Sequence, residues 1–256
     1  MLYYKNKNIY FIMKIKDIIV FFVICFFMFL IFQKIIYLLS NNQKYMENMS
    51  SQLEIENPID KIIYINLDRR TDRRNEIEEE LDELGIDYIR FPAIENKNGA
   101  LGCSKSNLEC VKLAKKNRYK NVLILEDDFT LLISKEQFYE EINKLFSPNV
   151  NFDVCLLAYN ANYLQECEYP FLYKISDSQT TAGYIVNSSY YDTLIDTWEK
   201  AVAMFELTND AKKYTCDQSW KPLQQKDNWY CFKIRIGRQR PSHSDIQGGF
   251  LDTAGV

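Results

Sequence analysis

The chain has no excess of positive charge, no Cys-x-x-Cys pair and only one histidine in 256 residues. With 31 Lys and Arg against 35 Asp and Glu, the formal net charge is -4. There is thus no global basic field, and nucleic acid is excluded as an expected partner. The lack of paired cysteines or histidines at metal-ligand spacing argues against a zinc site. No internal repeat and no low-complexity linker occurs, which argues against a solenoid or a string of small domains. Glycine and proline are few, 8 and 6, in a chain rich in Ile, Asn, Lys and Tyr. That bias reads as base composition of the gene and carries no function. At 47% hydrophobic and 26% charged, the composition is globular.

Residues 18–39 are almost wholly apolar or aromatic, interrupted by Gln33, Lys34 and Tyr37. The run is long enough to cross a hydrocarbon core and lacks a small-residue cleavage site, so an uncleaved anchor is expected. Lys5, Lys7, Lys14 and Lys16 precede it, against Lys34 and Lys44 after it. The positive-inside rule then keeps the amino terminus cytoplasmic and the remainder lumenal. The expected organisation is a cytoplasmic tail (1–17), a membrane anchor (18–39), a polar stem (40–59) and one domain (60–256). Six of the seven cysteines lie beyond the span, an even set able to pair in an oxidising lumen. Asn48-Met49-Ser50 and Asn187-Ser188-Ser189 are sequons, which matter only for a lumenal domain.

The domain opens as alternating strands and helices. Residues 61–67 read as a β-branched strand. Residues 70–84 read as a helix with Ile77, Leu81 and Leu84 at helical spacing and Gly85 as its C-cap. A strand over 88–91, a helix over 106–117 and a strand over 122–125 follow, which predicts a Rossmann-like half-domain. Beyond it, Ser134 starts a helix reaching Phe146, residues 152–158 form a strand, and the pattern loosens. A strand over 180–186, a helix from Ser188 or Ser189 to Phe205 and a strand over 229–236 complete the reading.

Glu126-Asp127-Asp128 follow directly on Val122-Leu123-Ile124-Leu125. A short aliphatic run bounded by polar residues predicts a buried strand, and open α/β sheets bind ligands beyond the carboxyl ends of their strands. Adjacent carboxylates repel one another unless a cation or protons neutralise them, and hard oxygen ligands suit magnesium, calcium or manganese. The alternative is a solvated turn or a helix N-cap. Gly99-Ala100-Leu101-Gly102-Cys103-Ser104-Lys105-Ser106 approaches the phosphate loop of an NTPase. Ser104 stands where that loop needs glycine, however, and no strand leads directly into it.

Several segments in order resemble glycosyltransferase family 25. They are Ile63-Tyr64-Ile65-Asn66-Leu67-Asp68-Arg69-Arg70 with Asp72-Arg73-Arg74, then Gly102 to Leu108, then Leu123 to Asp128, then Thr181-Ala182-Gly183-Tyr184. The group is similar to lipooligosaccharide and procollagen galactosyltransferases, and the resemblance covers nearly all of residues 61–247. It implies a GT-A type α/β fold with a Rossmann-like nucleotide-binding half, a mixed sheet, a UDP-sugar donor, a glycan or glycoprotein acceptor, and Mn2+ or Mg2+. The donor would lie against Asn66, Asp68, Arg69, Arg73, Arg74, Asp127 and Gly183. Members commonly carry Ser-His-Leu where this chain has Ser106-Asn107-Leu108. That departure opens a second reading, a catalytically silent, membrane-tethered binder of nucleotide sugars or glycans.

The expected metal ligands are Glu126, Asp128 and the sole histidine, His243, which is otherwise a surface residue in a loop. Arg238 and Arg240 beside it suit a diphosphate on the same metal. Transfer with inversion, as in relatives, needs a base for the acceptor hydroxyl. Asp217, next to Trp220 as a sugar-stacking aromatic, is the candidate, or else a helix N-cap.

Overall fold

The computed structural model describes residues 28–38, 58–244 and 248–251. The chain divides into two units, Met1–Glu56 and Asn57–Val256. In the first, residues 28–38 are helical with exposed side chains. Among the described residues no helix is long and apolar enough to cross a membrane. Half of the expected anchor (18–27 and 39), all of the tail and the stem up to residue 57 lie outside the described residues.

In the second unit, β1 (Lys61–Asn66), α1 (Thr71–Leu84), β2 (Tyr88–Pro92), α2 (Gly99–Asn117) and β3 (Asn121–Glu126) come in the predicted alternation. β1 runs parallel to both β2 and β3, so it lies between them. Both its faces are buried, and the pleat sorts them. Ile62 and Tyr64 point into one core with Ile77, Leu81 and Leu84 of α1; Ile63 and Ile65 point into the other with Leu108, Val111 and Ala114 of α2. β3 repeats the division, Leu123 and Leu125 against Val122 and Ile124. With α1 and α2 on opposite faces, the carboxyl ends of β1 and β3 flank a topological switch point.

The rest of the sheet is mixed, as the resemblance implied. α3 (Lys135–Leu145) begins at a capping box in which Ser134 accepts from the Gln137 amide and the Gln137 side chain accepts from the Ser134 amide. β5 (Val154–Glu166) and β6 (Leu172–Asn187) form a long antiparallel pair, and β6 is also antiparallel to β3. β7 (Trp229–Phe232) closes the order β2-β1-β3-β6-β5-β7. α4 (Tyr191–Thr208) and the short helices α5 (Ala211–Tyr214), α6 (Cys216–Ser219) and α7 (Lys221–Lys226) cover the second core. Two smaller pairings stand outside the main sheet. β4 (Phe129–Leu131) is antiparallel to β8 (Gly237–Gln239), and β9 (Ser242–His243) to β10 (Phe250–Leu251).

Several boundaries differ from expectation. α2 starts at Gly99, seven residues early, because the Asn98 side chain accepts from the Leu101 amide and caps a stretch whose Gly and Ser content hid it. The predicted strands over 152–158 and 180–186 are the inner ends of a hairpin whose outer half is too polar to show apolar alternation. The six described cysteines, an even set able to pair in an oxidising lumen, are all free. Trp220 does not face a sugar. It is fully buried, 5.1 Å from Trp229 and 5.6 Å from Tyr184 between ring centroids, and its indole N–H donates to Ser178 O. An aromatic spent on the core is unavailable for stacking.

Gly183, expected to touch the donor, serves packing instead. A Cβ there would lie 2.7 Å from the Phe129 ring and 3.1 Å from Leu125. Gly183→Ala is expected to destabilise the fold by about 1–3 kcal/mol through overpacking. Denaturant titration reads that loss.

Candidate active site

The end of β3 delivers its carboxylates next to the end of β1, since Glu126 is in register with Ile65. Asp127 turns inward and is 7% exposed. Its Oδ2 accepts from Asn66 Nδ2 at 2.7 Å and its Oδ1 from Arg73 Nη1 at 2.9 Å. The same Arg73 nitrogen donates to Asp128 Oδ2 at 3.0 Å, so one guanidinium from the first turn of α1 spans both aspartates. Asn66 is itself held from the far side, where Arg90 Nε donates to its Oδ1 at 2.9 Å. Glu126 is wrapped separately. Thr181 Oγ1 donates to Oε1 at 2.6 Å, Cys103 Sγ approaches the same oxygen at 3.6 Å, and Gln239 Nε2 donates to Oε2 at 3.3 Å.

A carboxyl-terminal strap lies against these acids. The Arg240 amide donates to Asp128 O at 2.5 Å, extending the β4–β8 pairing. Arg73 Nη2 donates to Ser242 Oγ at 2.6 Å and to His243 O at 3.0 Å, and Arg70 reaches the same carbonyl at 3.2 Å. Acids, strap and the 93–97 loop line a cleft of about 280 Å³ that includes Arg69, Arg73, Asn96, Lys97, Cys103 and Ser244. One wall is apolar, formed by Ile65, Leu67, Ala93 and Ile94. Ser106 pins that wall by accepting from the Ile94 amide at 2.8 Å.

The charge balance is incomplete. Burial, reinforced by repulsion from Asp128, pushes the Glu126 carboxyl up to about 7 against the pull of Thr181. Burial also pushes Asp128 up to about 6, with Arg73 opposing the rise and Asp127 adding to it. Asp128 Oδ1 is buried without a hydrogen-bond partner. Such an oxygen, on one of two neighbouring raised carboxyls, is the arrangement an added cation would relieve. Yet among the described residues no three His, Cys, Asp or Glu side chains stand together as a ready-made metal cage. His243 is exposed, and Arg70 and Arg73 donate to its backbone carbonyl. Glu126, Asp128 and His243 are therefore not a preassembled triad. Asp128 and Glu126 offer the carboxylate oxygens that a hard cation prefers, and such an ion would need its remaining ligands from outside the chain.

The remaining expected residues fall into two groups. Asn66, Arg69, Arg73 and Asp127 line the cleft or brace it. Asp68 and Arg74 do neither: Asp68 is exposed and accepts from Arg90 at 2.5 Å, and Arg74 pairs with Glu78 on the outer surface of α1. The i, i+4 spacing of Arg74 and Glu78 makes that a local helix pair. Arg240 lines the cleft but its guanidinium reaches back to Glu76 and Glu80 of α1. Asp217 is half-buried and does not line the cleft; its Oδ1 accepts from Thr215 Oγ1 at 2.7 Å. Asn107 is fully buried, accepting from Tyr184 OH at 2.8 Å and donating to Cys103 O at 3.1 Å. Sequence reasoning misses Arg90, Thr181, Gln239 and Ser242 as site residues, though Thr181 opens the Thr181–Tyr184 segment and Gln239 and Ser242 lie beside Arg240 and His243. Nothing in a strand such as Tyr88–Pro92 marks which polar residue will face a neighbour's end.

No protein-family model matches the chain. A curated relative does: a "Glycosyltransferase 25 family member" from Drosophila melanogaster is 31% identical over 98 residues, taking in 27% of this chain and 16% of the relative. The chain is thus glycosyltransferase 25-like over that stretch and spans about a sixth of the relative's length. Among solved structures, a glycosyltransferase involved in glycosylation of the major capsid of PBCV-1 superimposes with a TM-score of 0.40 and 12% identity, covering 68% of this chain and 93% of that one. Mannose-1-phosphate geranyltransferase from Thermus thermophilus gives 0.40 and 10%, covering 70% and 58%. Glycosyltransferase GlyE of Streptococcus pneumoniae gives 0.38 and 10%, covering 68% and 45%. These are distant likenesses.

The raised carboxyls set a pH dependence. A carboxyl with a higher pKa in the folded chain keeps its proton after the unfolded chain has lost its own. Its contribution is therefore full below the ordinary carboxylate range and is lost as pH rises toward about 7 for Glu126. Glu126→Gln should remove that decline. Denaturant unfolding is expected to show the variant more stable than wild type at pH 8, by on the order of 1–2 kcal/mol, and nearly equal to it at pH 4.

Proposed function

We propose that this chain is a GT-A type glycosyltransferase that moves a hexose, galactose or glucose, from a UDP-sugar to a hydroxyl of a glycan or protein acceptor. The observation that carries this reading is the under-neutralised acidic end of β3, with Asp128 Oδ1 buried and unpartnered at the wall of a cleft. The ordered resemblance to glycosyltransferase family 25 supports the choice of chemistry.

In this reading Asp128, with Glu126 beside it, holds Mn2+ or Mg2+. Such an ion would supply positive charge to the departing diphosphate. The chain's own residues do the rest. Arg69 and Lys97 on the cleft wall add positive charge near the phosphates. The apolar wall of Ile65, Leu67, Ala93 and Ile94 takes the flat face of the base, where burial favours an aromatic ring. Asn66 and Arg73 fix the Asp127 carboxylate, so it faces the donor in one orientation. Bond changes follow from the substrates: the acceptor hydroxyl oxygen attacks the anomeric carbon, the bond from that carbon to the diphosphate oxygen breaks, UDP leaves with that electron pair, and the hydroxyl proton passes to water. Inversion rests on the resemblance alone, as does the identity of the hexose. Anchoring through residues 18–39, with the domain on the lumenal side, rests on the sequence alone.

The silent-binder alternative starts from Asn107 standing where relatives carry histidine. Asn107 is buried, bonded on both sides and off the cleft wall. A side chain at that position acts on the helix–sheet junction and not on a donor in the cleft, which supports the enzymatic reading over the silent one.

The test is UDP-galactose and UDP-glucose hydrolysis by the purified chain with and without Mn2+. Wild type is expected to need the metal. Asp128→Ala should lose about 100-fold or more in rate, the scale of a lost metal or oxyanion contact. Undiminished turnover in that variant ends the metal assignment. UDP binding by calorimetry with no hydrolysis of any UDP-sugar returns the silent binder.

A further inference from the structure

β6 carries an irregularity opposite the acids. Gln179 pairs with Asn160 and Gly183 with Ala158, so four steps along β6 match two along β5, and Thr180 and Thr181 fall inside the excess. Thr180 has φ 86°. Among the described residues the other non-glycine positive φ values belong to Arg118 and Asn209, the left-handed C-caps of α2 and α4. Thr180 caps no helix and is β-branched, so its conformation is strained and must be held from outside. Bulges beside sites commonly re-aim a side chain. Here the next residue is Thr181, whose hydroxyl meets Glu126 at 2.6 Å.

What holds the bulge is the segment from α6 to α7. Asp217 Oδ2 accepts from the Thr180 amide at 3.4 Å, while Thr215 Oγ1 fixes its other oxygen. Gln218 donates to Gln179 Oε1 at 2.6 Å. Trp220 Nε1 and Gln224 Nε2 both donate to Ser178 O, and Gln224 Oε1 accepts from the Ser178 amide at 2.8 Å. Four side chains of one short helical segment thus clasp three consecutive residues of β6. We infer that Asp217 is a positioning residue and not the base expected from the sequence: it keeps the Thr180 bulge in place so that Thr181 presents its hydroxyl to Glu126. The inference rests on the proposed reading of the cleft.

Two measurements on the full chain test it: hydrogen exchange of amides 179–182, and calorimetric affinity for UDP with Mn2+. Asp217→Asn keeps an acceptor oxygen and should stay within about threefold of wild type in both, whereas Asp217→Ala should exchange about tenfold faster and bind about tenfold more weakly, the scale of one lost hydrogen bond. Thr181→Val should weaken binding similarly, and adding Asp217→Ala to it should cost less than about twofold more, because the two act in one chain of contacts. Thr181→Ser should restore binding. Additive losses, or Asp217→Asn as inactive as Asp217→Ala in UDP-sugar hydrolysis with unchanged exchange, overturn the inference and restore Asp217 as a base. If wild type binds no UDP with Mn2+, the proposed function fails while the exchange measurement still decides what Asp217 holds.

Discussion

One guanidinium makes the centre of this structure possible. Carboxylates at adjacent positions, taken largely out of water, repel one another. At an effective dielectric of 20, a charge pair at 4 Å is worth about 4 kcal/mol, which is comparable with the effective cost of desolvating an ion. Arg73 meets Asp127 and Asp128 together at about 3 Å and offsets part of that repulsion. It cannot serve three carboxylates, however. The shortfall shows in the raised Glu126 and Asp128 and in the unpartnered Asp128 oxygen.

The same guanidinium ties together parts of the chain far apart in sequence. It comes from the first turn of α1, grips residues at the end of β3, and holds Ser242 and His243 of the strap. The strap has a second attachment through the β4–β8 pairing, and a third where Arg240 meets Glu76 and Glu80 on α1. Loss of Arg73 would thus free both the acids and the lid-like segment beside them. The cleft exists because these two needs, neutralising charge and anchoring the strap, converge on one side chain.

The half of the sheet beyond β3 contributes differently. Its core is aromatic: Trp198 and Trp220 are fully buried against Tyr184 and Trp229 against Trp220, and each indole N–H finds an oxygen. That rigid cluster fixes α4, α6 and α7, and through them the irregular stretch of β6 that reaches Glu126. Residues that read as surface chemistry in a linear string, Trp220 and Gly183 among them, prove to be what this support is made of.

Period and punctuation in the chain determined the first half of the fold. The aliphatic runs at 61–66 and 121–126, the 3.6-residue spacing of Ile77, Leu81 and Leu84, and Gly85 as a left-handed cap all express local preferences that need no partner. The acidic triplet was legible for a related reason, since charge directly after a buried run must lie at a strand end. Tertiary structure alone decided which arginine of the 69–74 cluster turns inward, that Asp217 braces a backbone, that Asn107 is interior, and that His243 offers the network a carbonyl. Those outcomes depend on which face of a helix or edge of a sheet another segment covers. Such coverage is a property of contacts between residues far apart in sequence, 37 positions for Thr180 and Asp217 and 169 for Arg73 and Ser242, and no local pattern encodes it.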